Sequence, residues 1–449
     1  MEKYIYSVLA VALLTSVSTS ASANGFAVNE QSASGLGNAY AGGGASAEDA
    51  STIFFNPAGM IYLPDNQLVI AGHAIRSSAN FSNNDSHSFR GLPTQGSDGG
   101  DAGGWAFVPN LYFAKAVNDD VRLGIGINSP FAYKTDYDNR WVGRYQALKT
   151  TIKTININPS IAFKVSDKIS MGLGFSAMRT DAEITNAVDF GTICATALSG
   201  CGIGATFQKY DGFARVTGND WGFGWNIGTI FQITNATRMA LAYRSAVDQK
   251  LKGDNYFNGI PAAFALSPAL IAGFSNGSVS AKLTTPDSAS ASIFHQINSQ
   301  WDVMADLTWT HWSTFKNLAV IRTSGVLAGS TFSNVPENWD NTIRASLGGS
   351  FRYDNSLKLR AGFAYDQSPV SLEFRTPRTP NTDRFWLSVG ANYRLTPTSS
   401  MDVGYTYIIV NDVPLNKTTD VAIPSLRDTV KGRYDSNLNI ISVQFTHTF

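Results

Sequence analysis

Residues able to do chemistry are spread thinly along this chain. The five histidines, His73, His87, His295, His311 and His447, form no HExxH pair, and no CxxC set accompanies them. A GxSxG elbow, which would present a nucleophilic serine, is absent. Gly35-Leu36-Gly37 lacks the strand before it and the helix after it that a dinucleotide loop requires. The only cysteines, Cys194 and Cys201, lie seven apart in a glycine-rich stretch. A disulfide suits an exported chain there; paired metal ligands are the rival, but no histidine is near. We therefore expect no enzyme, no catalytic residue, no cofactor and no metal site.

What is left is binding or transport, and the chain's destination narrows it. Lys3, an apolar run from Val8 to Leu14 and the small-residue pattern Ala21-Ser22-Ala23 predict a secretory signal peptide over 1–23. Charged residues make up 15% of the chain, below the roughly 25% of soluble domains, and the formal net charge is zero. Neutrality gives no support to a nucleic-acid partner. No later stretch offers the roughly 20 unbroken apolar residues of a membrane helix. Phe257 to Phe274 comes closest and is interrupted by Asn258, Gly259, Pro261 and Pro268. Either a large secreted β protein or an outer-membrane barrel fits these facts.

Period-two alternation separates the two. In Phe385 to Leu395 the odd positions are Phe385, Leu387, Val389, Ala391, Tyr393 and Leu395, while the even ones are Trp386, Ser388, Gly390, Asn392 and Arg394. Met401 to Ile409, Trp301 to Thr310, Ile343 to Phe351 and Leu357 to Tyr365 repeat the pattern. Short connections fall at 118–120, 166–168, 234–237, 298–300, 354–356 and 396–399, and long polar or Gly/Pro-rich stretches alternate with them. Short turns alternating with long outer loops are the signature of a transmembrane barrel, and this rhythm predicts about 14 antiparallel strands over 66–449. Trp105, Trp221, Trp301, Trp309, Tyr393 and Tyr407 suit its interfacial girdles. The even-numbered lumen face carries Asp302, Asp306, Arg344, Arg352, Lys358, Arg360, Arg394 and Asp402, read mainly as structural pairs.

Residues 24–65 belong to neither strand nor stable helix. The stretch opens Asn24-Gly25-Phe26, holds Gly35, Gly37 and Gly42 to Gly44, and ends through Asn56-Pro57-Ala58 to Asp65. Small residues with no large apolar face pack by close backbone approach. Lying before the first strand, the segment is placed to fold back as a plug in the lumen.

At these residues the chain resembles the FadL family of outer-membrane long-chain fatty acid transporters. The resemblance is carried by Ser34-Gly35-Leu36-Gly37-Asn38-Ala39-Tyr40, Glu48-Asp49-Ala50, Asn56-Pro57-Ala58, Trp221-Gly222-Phe223-Gly224-Trp225-Asn226, Asp366-Gln367-Ser368-Pro369-Val370 and Asp383-Arg384-Phe385-Trp386-Leu387-Ser388. It spans nearly the whole chain after the signal peptide. It implies an all-β transmembrane barrel with an N-terminal hatch, a kinked third strand that opens the wall sideways, and uptake of hydrophobic molecules. Long-chain fatty acids are the implied default. A monoaromatic hydrocarbon channel of the same family, or a general small-solute diffusion porin, is the alternative. The expected partners are a hydrophobic small molecule and outer-membrane lipid, with the chain acting as a monomer in the outer membrane of a Gram-negative bacterium.

Three groups of residues follow as site expectations. Asn128-Ser129-Pro130-Phe131 ends the third strand, where Pro130 marks either the lateral opening or an ordinary strand end. Ile260, Phe264, Leu270, Ile271 and Phe274 make an outer loop apolar enough to capture a greasy ligand; packing of a short helix on neighbouring loops is the rival. For a carboxylate head group the matching positions offer Arg179, which has the parity of lipid-facing Leu173 and Phe175 and turns inward only through a bulge, and Arg322.

Overall fold

The computed structural model describes residues 25–198, 207–420 and 427–449. The expected signal peptide, Asn24 and Cys201 lie outside the described residues. Fourteen antiparallel strands follow one another in chain order: β1 (Gln67–Asn83), β2 (Gly104–Ala116), β3 (Val121–Asn128, continued by Ala132–Asp136), β4 (Lys149–Ser166), β5 (Ile169–Asp189), β6 (Asp211–Thr234), β7 (Thr237–Arg244 and Val247–Asn258), β8 (Gly277–Thr285 and Ser288–Gln296), β9 (Trp301–Thr310 and Asn317–Arg322), β10 (Thr331–Pro336 and Thr342–Arg352), β11 (Leu357–Asp366), β12 (Arg384–Thr396), β13 (Ser399–Val410) and β14 (Asp428–Thr448). The ladder from Gln67–Thr448 to Asn83–Gly432 joins β1 to β14 and closes the barrel. Closure leaves the sheet with no open edge, as a lipid environment demands. No helix among the described residues is long and apolar enough to cross a membrane.

The alternation in sequence becomes two faces. Leu387, Val389 and Tyr393 on β12, and Leu173 and Phe175 on β5, are exposed on the outside, whereas Trp386, Ser388 and Ser170 are buried toward the lumen. Trp105, Trp221, Trp301 and Trp309 stand on the outer face as girdle residues should. Each of the six short connections joins two consecutive strands, which is why counting them gives the strand number.

Residues 25–65 pack inside the wall as short pieces: α1 (Ala33–Leu36), α2 (Thr52–Phe55) and a 3₁₀ turn at Pro57–Tyr62. Asn56 organises the last piece. Its Oδ1 accepts from Ala58 N at 3.1 Å, Pro57 fills the first helical position, and its Nδ2 donates to Gly44 O at 3.0 Å and to Thr229 O of β6 at 3.3 Å. One asparagine thus caps a turn and ties it to the wall.

Close approach is the second device. A Cβ on Gly390 of β12 would stand 2.7 Å from the Cα of Gly37, so Gly390 must lack one, and a Cβ on Gly37 would press on Gly390 at 3.0 Å. Charge is the third. Lys358 Nζ meets Glu48 Oε1 at 2.6 Å, and Arg360, 1% exposed at its side chain, reaches both Glu48 and Asp402, the latter at 2.7 Å. Burial pushes the Glu48 carboxyl up, but the Arg360 and Lys358 cations outweigh it and hold the group well below the usual carboxylate range. Gln444 of β14 adds a neutral clamp: its Oε1 accepts from Ala33 N at 3.0 Å and its Nε2 donates to Asp49 at 2.8 Å.

Candidate functional site

The pairing of β3 with its neighbours changes beside Pro130. The ladder between β2 and β3 ends at Leu111–Ile127, and above it β3 leaves its neighbour. Toward β4, pairing resumes at Ala132–Lys153 after Asn128–Asn156, so Ser129, Pro130 and Phe131 oppose two residues of β4. An extra residue of this kind bends a strand and re-aims its side chains. Thr154 fills the missing rungs: Phe131 N donates to its Oγ1 at 3.0 Å, its hydroxyl donates to Phe131 O at 2.6 Å, and Ser129 Oγ donates to its carbonyl at 2.6 Å. Pro130 has no N–H to lose here.

The backbone groups freed on the lumen side of this bend are taken by the N-terminal segment. Val28 N donates to Pro130 O at 2.9 Å and Ala132 N donates to Phe26 O at 2.9 Å, which makes Ala27 and Phe131 an antiparallel bridge. Gln31 Nε2 also reaches Ser129 O at 3.3 Å. Gly25, at φ +67, lets the chain turn under Trp312 and Trp339. Phe26 is then enclosed by Trp312, Trp339, Phe315 and Phe131, with ring centroids 4.6, 5.6, 5.8 and 5.8 Å away. The inward bulge of β9 at His311–Lys316 carries Trp312 and Phe315 into this cage.

Phe26 also forms part of a cavity of about 80 Å³ high in the barrel, lined by Ile152, Leu251, Leu283, Phe315 and Val320 among others. Its walls are almost wholly apolar, as a hydrophobic ligand needs. Three ionisable side chains border it: Glu183, which pairs with Lys149 at 3.0 Å, Glu337 and Arg378. Burial pushes the Glu337 carboxyl up to about 8, although Trp339 Nε1 donates to it at 2.9 Å. Burial pulls Arg378 down to about 10; its hydrogen-bond partners are neutral oxygens, including Thr150 Oγ1 and Thr185 O at 3.2 Å.

The two arginines expected to hold a head group do not line this cavity. Arg179 keeps the outward parity: the β5–β6 ladder runs unbroken through Arg179–Trp221, and the guanidinium pairs with Asp181 at 2.9 Å on the outer face. No bulge turns it inward, and the expectation is corrected on that ground. Arg322 is buried at the end of β9, lies over the Phe332 ring, and donates to Gly273 O and Ser275 O of the apolar outer loop. It is spent on that loop. Arg378 escaped notice because it sits in a long loop, and Glu337 because it falls in the break of β10 between Pro336 and Thr342; in neither place does periodicity report which way a side chain faces.

The apolar loop divides into two short turns of helix, Ala262–Leu266 and Pro268–Gly273. Phe264 is fully buried against Phe190, Phe274 and Cys194, so it is a packing residue and not an open capture surface. Leu270 and Phe274 are partly buried with it, while Ile260 and Ile271 remain exposed. Cys194 is buried and disulfide-bonded; Cys201 lies outside the described residues.

A closed barrel with an apolar outer face and a greasy cavity inside its lumen defines an outer-membrane protein for hydrophobic molecules. Over residues 14–449 the chain matches the family described as outer membrane protein transport protein (OMPP1/FadL/TodX). It is 34% identical over 428 residues to the long-chain fatty acid transport protein of Escherichia coli (strain K12), covering 92% of this chain and 93% of that one. Outer membrane protein P1 of Haemophilus influenzae is 35% identical over 432 residues, covering 91% and 90%. The crystal structure of a Pseudomonas aeruginosa FadL homologue superposes with a TM-score of 0.86 at 28% identity, covering 95% of this chain and all of that one. The chain belongs to this family of outer-membrane transporters, which are not enzymes, and it takes up hydrophobic compounds across the outer membrane of a Gram-negative bacterium.

Proposed function

We propose that the protein takes up long-chain fatty acids by passive passage, with residues 24–65 as a hatch and the β2–β3 gap at Asn128–Phe131 as the exit. A fatty acid adsorbs near Ile260 and Ile271 and moves into the apolar cavity, where Arg378 receives its carboxylate. Entry displaces Phe26, a member of that cavity's wall. Withdrawal of Phe26 pulls Val28 from Pro130 and frees the bend in β3. The observation that carries this reading is the double engagement of Phe26–Val28: its side chain faces the cavity and its backbone bonds the break in the wall. The chain closes its own barrel, and its cavities lie within one chain, so a monomer suffices, with outer-membrane lipid against its exposed aromatics.

Uptake of labelled oleate by cells tests the route. Ser129→Trp fills the bend and should abolish uptake while the barrel still folds; undiminished uptake by a folded variant would reject lateral exit. Mass spectrometry of molecules retained after gentle purification tests the ligand. Fatty acids support this reading, and retained neutral aromatics would replace it with hydrocarbon uptake.

A further inference from the structure

We propose that a second cavity, of about 140 Å³ beside the break in β3, is an anion site for the carboxylate of the transported molecule. The inference rests on the uptake reading above and adds a second station to it. The cavity lies against Pro130 and Phe131 on one side and is lined by Phe54 and Phe55 of the N-terminal segment, Arg244 of β7 and Arg344 of β10. Its polar groups are donors in excess. Arg344 is 5% exposed; one terminal nitrogen donates to Ala39 O at 2.9 Å, and its Nε is buried without a partner. Asn226 is 3% exposed; its Oδ1 accepts from Asn158 Nδ2 at 2.9 Å, which leaves its own Nδ2 a buried donor without a partner. Arg244 donates only to neutral oxygens, Phe54 O at 2.7 Å and Ser176 Oγ at 3.4 Å.

One carboxylate lines the cavity, Asp306, and its two oxygens are occupied by the hydroxyls of Ser292 and Thr308. Two guanidinium groups and an unmatched amide donor therefore border the space, and the other acids near Arg344, Asp366 opposite it on β11 and Glu30, lie outside its lining. Buried donors without acceptors are unfavourable, and a carboxylate supplies lone pairs and negative charge together. The phenyl rings of Phe54, Phe55 and Phe131 suit the first methylenes behind it. A neutral hydrocarbon would leave Arg344 Nε and Asn226 Nδ2 unmet.

The probes are dodecanoate and dodecanol, each carrying a diazirine on its third carbon, irradiated with the full-length protein in lipid nanodiscs and mapped by mass spectrometry. The acid should label the peptides containing Phe54 and Phe131 about tenfold more than the alcohol, the discrimination expected of charge-assisted hydrogen bonds. Arg344→Met should bring the acid down to the alcohol's level, and Arg344→Lys should keep part of the difference. Equal labelling by acid and alcohol overturns the anion site, as does acid labelling confined to the upper cavity around Phe315 and Leu318. Labelling of neither cavity by either probe would reject uptake of such molecules altogether. Should Arg344→Met not fold, the acid-to-alcohol comparison on the unaltered protein still decides.

Discussion

The N-terminal segment touches two walls of the lumen, and they hold it by different chemistry. Against β11–β14, Glu48 is paired with Lys358 and Arg360, Gly37 rests on Gly390, and Gln444 clamps Ala33 and Asp49. Against β3, Phe26 and Val28 are held by two backbone hydrogen bonds to a bent strand and by the aromatic cage around the Phe26 ring, with no ion pair. A backbone hydrogen bond contributes about 1 kcal/mol net, while removing one member of a buried ion pair costs about 3–5 kcal/mol. On the uptake route proposed above, the difference assigns the motion: residues 26–28 detach while residues 33–63 stay anchored, so a short strand peels and the plug does not leave.

Erasing the contrast should have the largest effect. Ala27 and Phe131 form an antiparallel bridge, whose Cα separation falls in the range a disulfide can span. Ala27→Cys with Phe131→Cys makes the weak attachment covalent. Oxidised cells should lose oleate uptake nearly completely and regain it on reduction, read against the reduced double variant because Phe131 is itself in the aromatic cage.

Weakening the strong wall comes next. Arg360→Met leaves Asp402, 2% exposed, buried beside Asn392 alone and leaves Glu48 to Lys358. We expect a loss of about 3–5 kcal/mol in stability by denaturant unfolding, and detachment of the whole segment seen as ion conductance through a planar bilayer. A stable, non-conducting variant would mean that the glycine contacts anchor the segment without the charges.

A smaller effect sharpens the upper cavity's part in the comparison. Glu337 has its carboxyl raised to about 8 by burial, so it is neutral in the folded protein below that pH. Its contribution to stability is fully present below the ordinary carboxylate range, declines as the unfolded chain ionises, and is lost as pH rises through about 8. Over the upper part of that window the buried acid becomes an anion facing the same cavity as Arg378. Dodecanoate affinity should fall about fivefold between about pH 7 and about pH 9, and Glu337→Gln should flatten the profile.

The strong wall was more legible in the sequence than the weak one. Alternation and turn spacing announce the barrel because lipid enforces one rule on every strand. The same parity holds a signal for the anchored wall: Gly348, Gly362, Gly390 and Gly404 all occupy lumen-facing even positions where the N-terminal segment comes closest. Pro130 marks the break, but which neighbour β3 abandons is a pairing fact that no local pattern encodes. The apolar loop was recognisable by composition, yet composition could not say that Phe264 faces inward to Phe190. Arg378 reaches the cavity from a loop and Glu337 from the break in β10, where tertiary packing alone decides direction.

The smallest expected effect falls outside both walls. Arg179 lies on the outer face of β5, paired with Asp181 and opposite Trp221, near the upper girdle. Partly exposed ion pairs of this kind contribute about 0–1 kcal/mol. Arg179→Gln should therefore leave dodecanoate affinity, oleate uptake and unfolding nearly unchanged, whereas Arg378→Gln should weaken dodecanoate binding about tenfold with no change for dodecanol. If Arg179→Gln instead lowered acid binding selectively, the β5–β6 ladder would have to shift in the ligand-bound state so that its guanidinium turned inward. The contrast between the two substitutions thus decides whether the head-group cation belongs to the wall, where parity fixes it outside, or to the loop that folds down over the lumen.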